Sequence, residues 1–361
     1  MAKYLMGPSG GTASSMGAFM EHFVNESQTG EEIYLVPEMW RPMCGVSSRS
    51  LILANKEFVS GWSKMGGSPI IPSCKDTNVF KIKQYDGTTV DMSDNVRKFC
   101  EGYTGIIAIG GGGTTAQSLA LHKAHGLNFI VPLATMDNDI LCFDNVLGFE
   151  TAVQNAGASI AACYNDAHTM QRPTIIFCMG YDCGRLAVKA TEYAINKYGA
   201  KIDMLQIPET QTAIEDVAAQ VKKKYKGGAF TFVISEGCCK SSEVTTEGTH
   251  KSFSTTEYAN QLMDLTGIKF KVLTPDYMQR SGNPVKEDIK LAQAFAKKTI
   301  ELINNGQWNQ VIGSKNGKII SMPFEEVMKV LETQNVSSDW YGTPRDSKVY
   351  IGYNVAYILV D

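Results

Sequence analysis

The sequence predicts an α/β protein built from mostly parallel, doubly wound sheets. Short β-branched runs alternate with longer amphipathic segments along most of the chain, the pattern of βαβ units. Glycine occurs 33 times in 361 residues, above the average share, as frequent βα turns require. The length accommodates two domains of ordinary size, and the number of βα units calls for two such sheets.

Taken in order, residues 4–6 read as a short strand ending in Gly7-Pro8-Ser9-Gly10-Gly11. Residues 14–25 carry Met16, Met20 and Phe23 at helical spacing, one face of a core helix. Residues 32–36 form a second strand. Trp40-Arg41 lies in a loop, either closing over a ligand or anchoring the chain. Ile106, Ile107, Ala108 and Ile109 form a short buried strand. Four glycines follow, Gly110, Gly111, Gly112 and Gly113, which let the chain turn sharply and let a ligand approach bare N–H groups. A helix over 114–124 comes next, then a strand over 129–132. Helices are expected at 151–164, 184–198, 214–224, 255–266 and 286–304. Strands are expected at 173–178, 204–207, 230–234 and 270–273. Lys222, Lys223 and Lys224 read as a solvated helix end. Ligands of such sheets sit at the carboxyl ends of strands. The loops 110–114, 135–139, 179–184 and 235–237 are therefore where a site is expected.

The totals exclude several classes. Charged residues are 20% and the formal net charge is -3, which gives no field to recruit nucleic acid or an anionic membrane. The nine cysteines are scattered singly apart from Cys238-Cys239, with no repeated CxxC spacing. Neither a zinc site nor a disulfide framework is indicated. The first residues carry no signal-peptide apolar core, and no run is long enough to span a bilayer. A cytoplasmic enzyme is the expectation. Cys183 reads as packing, and His122 and His125 as a surface helix.

The chemistry converges on the stretch from residue 106 to residue 139. A helix N-terminus behind a glycine turn favours an anion, typically phosphate. The next strand delivers Thr135, Asp137, Asn138 and Asp139 to the same sheet edge. A phosphate cradle beside two carboxylates points to phosphoryl transfer, the plainer alternative being that the carboxylates cap a turn.

Five segments in order resemble the phosphofructokinase family. Residues 110–114 resemble G-G-D-G-[ST]. Thr135-Met136-Asp137-Asn138-Asp139-Ile140 resembles T-I-D-N-D-I, and Gly148-Phe149-Glu150-Thr151-Ala152 resembles G-F-D-T-A. Met179-Gly180-Tyr181-Asp182-Cys183-Gly184 resembles M-G-R-x-x-G, and Gln279-Arg280-Ser281-Gly282-Asn283-Pro284 resembles Q-R-G-G-S-P. The resemblance covers about residues 3–328. It implies two Rossmann-like doubly wound domains: 1–148 plus about 279–305 on the donor side, and 149–278 plus about 306–330 on the sugar-phosphate side. Residues 331–361, with Trp340 and a strand-like stretch at 349–359, form an extension outside the match.

The resemblance also implies roles. Asp137 is the general base that takes the proton of the acceptor hydroxyl. Thr135 and Asp139 hold that hydroxyl and a Mg²⁺ ion or its waters, Asp139 being the metal ligand. Arg172, Arg280 and Lys271 (or Lys269 if the alignment slips by two) meet the sugar phosphate; Met179, Gly180, Glu236 and Tyr277 face the sugar. The donor meets Gly10, Gly11, Lys75, Gly111, Gly112, Gly113, Thr114 and Gln117. Gly113 and Ala134 are small where pyrophosphate-dependent members carry larger residues, so ATP is favoured over pyrophosphate. The acceptor is fructose 6-phosphate or a similar phosphosugar. The assembly is a homodimer or homotetramer, or a hetero-oligomer, with a neighbouring subunit completing the sugar-phosphate pocket, and allosteric control belongs to the family.

Departures cluster on the donor side. Gly112 stands where the family has a metal-binding Asp, Tyr181 where it has an Arg on the transferring group, and Thr12 where the first glycine turn has Asp. Lys75 lies one residue from an expected Arg. Two other readings therefore stand beside the kinase: a catalytically impaired homologue acting as a regulatory subunit or phosphosugar sensor, and, from the spacing of Gly111, Gly113 and Ala116, a dinucleotide-binding oxidoreductase.

Overall fold

A computed structural model of the chain describes residues 2–333, apart from positions 69, 76, 211–212, 245–249 and 253, together with a short strand at Ala356–Tyr357. In chain order the first elements are β1 (Lys3–Pro8), α1 (Met16–Glu26), β2 (Glu32–Leu35), α2 (Trp40–Met43), β3 (Ile52–Leu53), β4 (Ile82–Lys83), β5 (Thr89–Val90), α3 (Ser93–Phe99), β6 (Gly105–Ile109), α4 (Gly112–His125) and β7 (Phe129–Pro132). Then come α5 (Phe149–Met170), β8 (Pro173–Cys178), α6 (Arg185–Tyr198), β9 (Met204–Gln206), α7 (Ile214–Lys224), β10 (Phe230–Ser235), β11 (Lys240–Val244), β12 (His250–Ser252), α8 (Thr255–Thr266) and β13 (Lys271–Leu273). The last are α9 (Met278–Ser281), α10 (Lys286–Asn304), β14 (Gln310–Lys315), β15 (Lys318–Pro323), α11 (Phe324–Thr333) and β16 (Ala356–Tyr357).

The chain divides into two compact units. The first comprises Met1–Met136, Ile140–Thr151 and Arg280–Thr333. Its sheet runs β15-β14-β7-β6-β1-β2-β3, parallel from β14 to β2, with antiparallel strands at both edges. Met16, Phe19, Met20 and Phe23 of α1 share a core with Phe295, Ala296 and Leu302 of α10. The expected helical face of α1 is thus the buried one.

The second unit comprises Asp137–Asp139, Ala152–Gln279 and Gln334–Asp361. Its sheet runs β13-β8-β10-β9-β16 and is parallel throughout. Both faces are covered, as an all-parallel sheet requires. Ala156, Ile160, Ala187 and Ala190 pack on one face with Ile176 and Leu205. Val217, Val221, Tyr258 and Leu262 pack on the other with Phe177 and Phe232.

Two sequence expectations are corrected. Residues 306–330, expected in the sugar-phosphate domain, lie in the first unit, because β14 pairs in parallel with β7 and β15 folds back on β14. Lys318-Ile319-Ile320 follows Asn316 and Gly317, both at positive φ, the chemistry of a tight hairpin turn. Residues 40–43 are a short helix rather than a loop, and Trp40 is buried. Of the strand-like stretch 349–359 only Ala356–Tyr357 is described, and Trp340 lies outside the described residues.

The turn between the expected loop 135–139 and α5 is tied to α10 by one carboxylate. Asp288 is fully buried. It accepts the N–H of Gly148 at 3.2 Å and of Thr151 at 2.9 Å, and also the Thr151 hydroxyl. Burial pushes its carboxyl up to about 6, against the hydrogen bonds from Thr151 and Gly148 that pull it down. The folded carboxyl therefore holds its proton more tightly than the unfolded one. The stability it contributes is complete below about pH 4 and is lost as pH rises through about 6. Asp288→Asn cannot titrate and lacks this loss. Denaturant melts at about pH 4.5 and about pH 7.5 should show wild type losing ~2 kcal/mol relative to the variant as pH rises. A constant difference would show that Asp288 does not titrate in this range.

Candidate active site

In the first unit three loops leave the carboxyl edge of the sheet side by side. β1 and β6 pair with Pro8 opposite Ile109, so the first glycine turn and the glycines after β6 start as neighbours. Ser9 fastens them. Its N–H donates to the Ile109 carbonyl at 2.7 Å. Its hydroxyl oxygen lies 3.0 Å from Thr114 Oγ1 and 2.7 Å from Trp40 Nε1, which donates to it. Gly110 has no room for a side chain, since a Cβ there would collide with Thr114 Oγ1 and the Ser9 carbonyl oxygen. Gly10 adopts φ +83°, donates its N–H to Cys74 O at 2.9 Å and accepts Ser73 Oγ at 2.8 Å.

α4 begins at Gly112 behind Gly111, so unsatisfied N–H groups of its first turn collect at this edge. Around Gly113 a side chain would meet nothing within 4 Å. Gly112 is different: a Cβ there would rest 3.5 Å from Leu331 and 4.0 Å from Ile140, an apolar surface. Gln117 accepts the Val79 N–H at 3.0 Å, which ties down the chain before α3. Lys75 is exposed beside Cys74. Arg280 stands over the first glycine turn. Its Nη1 is 3.1 Å from where a Cβ of Gly11 would be. Among the described residues Arg280 makes no ion pair and no hydrogen bond.

In the second unit the carboxyl edge gathers the loops after β8 and β10. Glu236 Oε1 accepts the N–H of Gly180 at 3.1 Å and of Tyr181 at 2.8 Å. Met179 donates its N–H to Gln279 Oε1 at 3.1 Å. Gly180 has φ +137° and Tyr181 φ +52°, and the Tyr181 side chain is 70% exposed. Tyr277, after β13, is equally exposed. The segment Asp137–Asp139 packs with this unit. Asn138 is fully buried at φ +48°, and its carbonyl accepts Arg185 Nη1 at 3.0 Å. One carboxyl oxygen of Asp137 is buried. Burial raises the Asp139 carboxyl above its ordinary range, offset in part by its own backbone N–H.

Arg172 and Lys271 are not part of this constellation within one chain. Arg172 precedes β8, and Lys271 opens β13 opposite Thr174. Both stand at the amino edge, and the six residues of β8 separate them from Met179, a rise of ~20 Å. Arg172 is engaged by Asp166 at 2.8 Å.

The remaining candidates resolve simply. Cys183 is buried, and burial pushes its thiol far up, so it packs rather than attacks. His122 Nδ1 meets Leu127 O and His125 Nε2 meets Ser93 Oγ, both at 3.0 Å. Lys222, Lys223 and Lys224 are exposed. Sequence reasoning missed Arg185 and Ser9, while of the two roles open to Trp40 the structure shows the anchor, through its bond to Ser9. Only Arg185 carried a signal: a cation in the first turn of a helix opposes the dipole.

A family model described as phosphofructokinase matches residues 3–303. The chain belongs to the phosphofructokinase family. It is 23% identical over 358 residues to an ATP-dependent 6-phosphofructokinase 1 of a Synechocystis species, covering 95% of this chain and 96% of that one. It is 30% identical over 239 residues to the ATP-dependent 6-phosphofructokinase of Spirochaeta thermophila, with 63% of each chain covered. Among solved structures, a pyrophosphate-dependent phosphofructokinase from Marinobacter aquaeolei superimposes with a TM-score of 0.74 at 16% identity, covering 99% of this chain and 92% of that one. Phosphofructokinase from Saccharomyces cerevisiae gives 0.73 at 20% identity; 92% of this chain is covered, but only 45% of the yeast chain. The two parallel sheets are those of the phosphofructokinase fold. Among the described residues no helix is long and apolar enough to cross a membrane, and no three His, Cys, Asp or Glu side chains cluster as a metal site.

Proposed function

We propose that this phosphofructokinase-family chain transfers the terminal phosphoryl group of ATP to fructose 6-phosphate or a similar phosphosugar. The observation that carries the proposal is the pair of fastened glycine turns in the first unit, with the unpaired Arg280 over one of them. Bare N–H groups, a helix N-terminus and a guanidinium without a carboxylate make a cradle for a chain of phosphates. The open space at Gly113 leaves room for the rest of a nucleotide, which favours ATP over pyrophosphate.

Asp137 takes the acceptor proton as the sugar oxygen bonds to phosphorus and the bond to the leaving phosphate breaks. Thr135 orients the hydroxyl. Glu236 sets the Gly180–Tyr181 turn, and with Met179 and Tyr277 it offers the sugar a partly apolar surface. Asp139 fits a Mg²⁺ ion that arrives on the donor phosphates, because Mg²⁺ in such sites needs one or two carboxylates and keeps its waters. That ion would neutralise charge on the phosphates. Arg172 and Lys271, set at the far edge of their sheet, serve the sugar phosphate of a second copy, so the working form is a homodimer or larger.

A second reading rests on Leu331 and Ile140 beside Gly112 and on the uncharged Tyr181. It makes this chain a phosphosugar-binding regulatory subunit of a hetero-oligomer. Purified chain with Mg²⁺ and fructose 6-phosphate, offered ATP, other triphosphates and pyrophosphate in parallel, decides between them. Turnover with ATP is the expected result. Turnover with pyrophosphate alone would replace the donor, and silence with every donor while fructose 6-phosphate still binds would leave the regulatory reading.

A further inference from the structure

Arg185 is placed where a cation is not at home. It opens α6, directly behind Gly184, and a positive side chain in a first turn loses ~0.3–1 kcal/mol against the helix dipole. Its guanidinium does not turn out to solvent. Nη1 reaches the Asn138 carbonyl at 3.0 Å, and Asn138 is fully buried. Asn138 holds φ +48°, a left-handed conformation that a non-glycine residue keeps only with support. That carbonyl belongs to the peptide joining Asn138 to Asp139, and the preceding peptide joins it to Asp137. Fixing it therefore fixes the direction of the carboxylates on both sides.

We propose that Arg185 is the positioning residue of the acidic loop. It locks the Asn138 peptide, and so the aim of Asp137, with a charge-assisted hydrogen bond, and it brings to this loop a cation that Tyr181, one turn earlier in the same segment, does not carry. The Cys183 thiol, two residues before it, feels Arg185 together with Glu209 and Asp139, and Glu209 accepts the Gly184 N–H at 2.7 Å. The guanidinium thus has carboxylates as neighbours. The proposal rests on the phosphotransferase reading for its kinetic arm only.

With the donor that supports turnover, Arg185→Met should lower kcat by ~10²-fold, the loss expected for a catalytic group misplaced by about 1 Å. KM for fructose 6-phosphate should stay within about threefold. Arg185→Lys should recover a large part of kcat, since an ammonium can donate to the same carbonyl. A kcat within about threefold of wild type in Arg185→Met would overturn the proposal. If wild type turns over no donor, the phosphotransferase reading fails and hydrogen exchange of the peptide spanning residues 135–140 carries the test. Exchange at least ~10-fold faster in Arg185→Met supports the clamp. Unchanged exchange overturns it. Should Arg185→Met lose its cooperative melt, Arg185→Gln against wild type gives the same two outcomes.

Discussion

Asp137→Asn should lower kcat for phosphorylation of fructose 6-phosphate by ~10³ to 10⁴-fold, the upper range for loss of a general base. A sugar hydroxyl is a poor nucleophile until its proton has somewhere to go, and asparagine of the same shape cannot take it. KM for both substrates should hold within a few-fold, because the side chain is replaced rather than removed. Melting should be unchanged within about 2 °C, since asparagine keeps the volume of the side chain and the Asn138 carbonyl still accepts Arg185. Steady-state kinetics with a coupled assay reads all three. A fall in kcat of less than tenfold would remove Asp137 from the role of base.

Arg280→Leu is expected to give the second largest effect, a loss of ~10³-fold in kcat/KM for the donor, as removal of a cation from a phosphoryl-transfer site commonly does. The family resemblance assigned it to the sugar phosphate. Its position over Gly11, in the unit that also holds the glycines of α4, points to the donor. Calorimetry separates the two without turnover. Weaker binding of inorganic tripolyphosphate with unchanged binding of fructose 6-phosphate supports the donor assignment. The reverse pattern returns Arg280 to the sugar.

Much of the architecture was legible because local chemistry and tertiary context agree. The strand at Pro173–Cys178 and the helices at Ile214–Lys224 and Lys286–Asn304 are found where apolar periodicity put them. What escaped was set by distant pairing. The β14–β15 hairpin joins a largely buried strand to a half-exposed one, and its membership of the first sheet depends on β7, far away in sequence. The glycine turns and the acidic loop were visible as types of residue at strand ends. Their wiring was not, because Ser9, Trp40 and Arg185 act through single hydrogen bonds that no periodicity announces. Arg172 and Lys271 were legible as phosphate chemistry, but their place at the amino end of their own sheet, set by the direction of β8, is not written in residue type.

The Ser9 junction also bears on how selective this protein can be. Trp40, Ser9 and Thr114 are buried, and their hydroxyl and indole groups hold the two glycine turns together before any ligand arrives. The conformational entropy of those loops is lost when the chain folds and is not lost again on association. A mould of that kind cannot reshape itself around a poor guest. It rewards a phosphate chain that matches its spacing and discriminates by fit, so a small change in the guest should appear mainly as faster dissociation, with little change in the rate of capture.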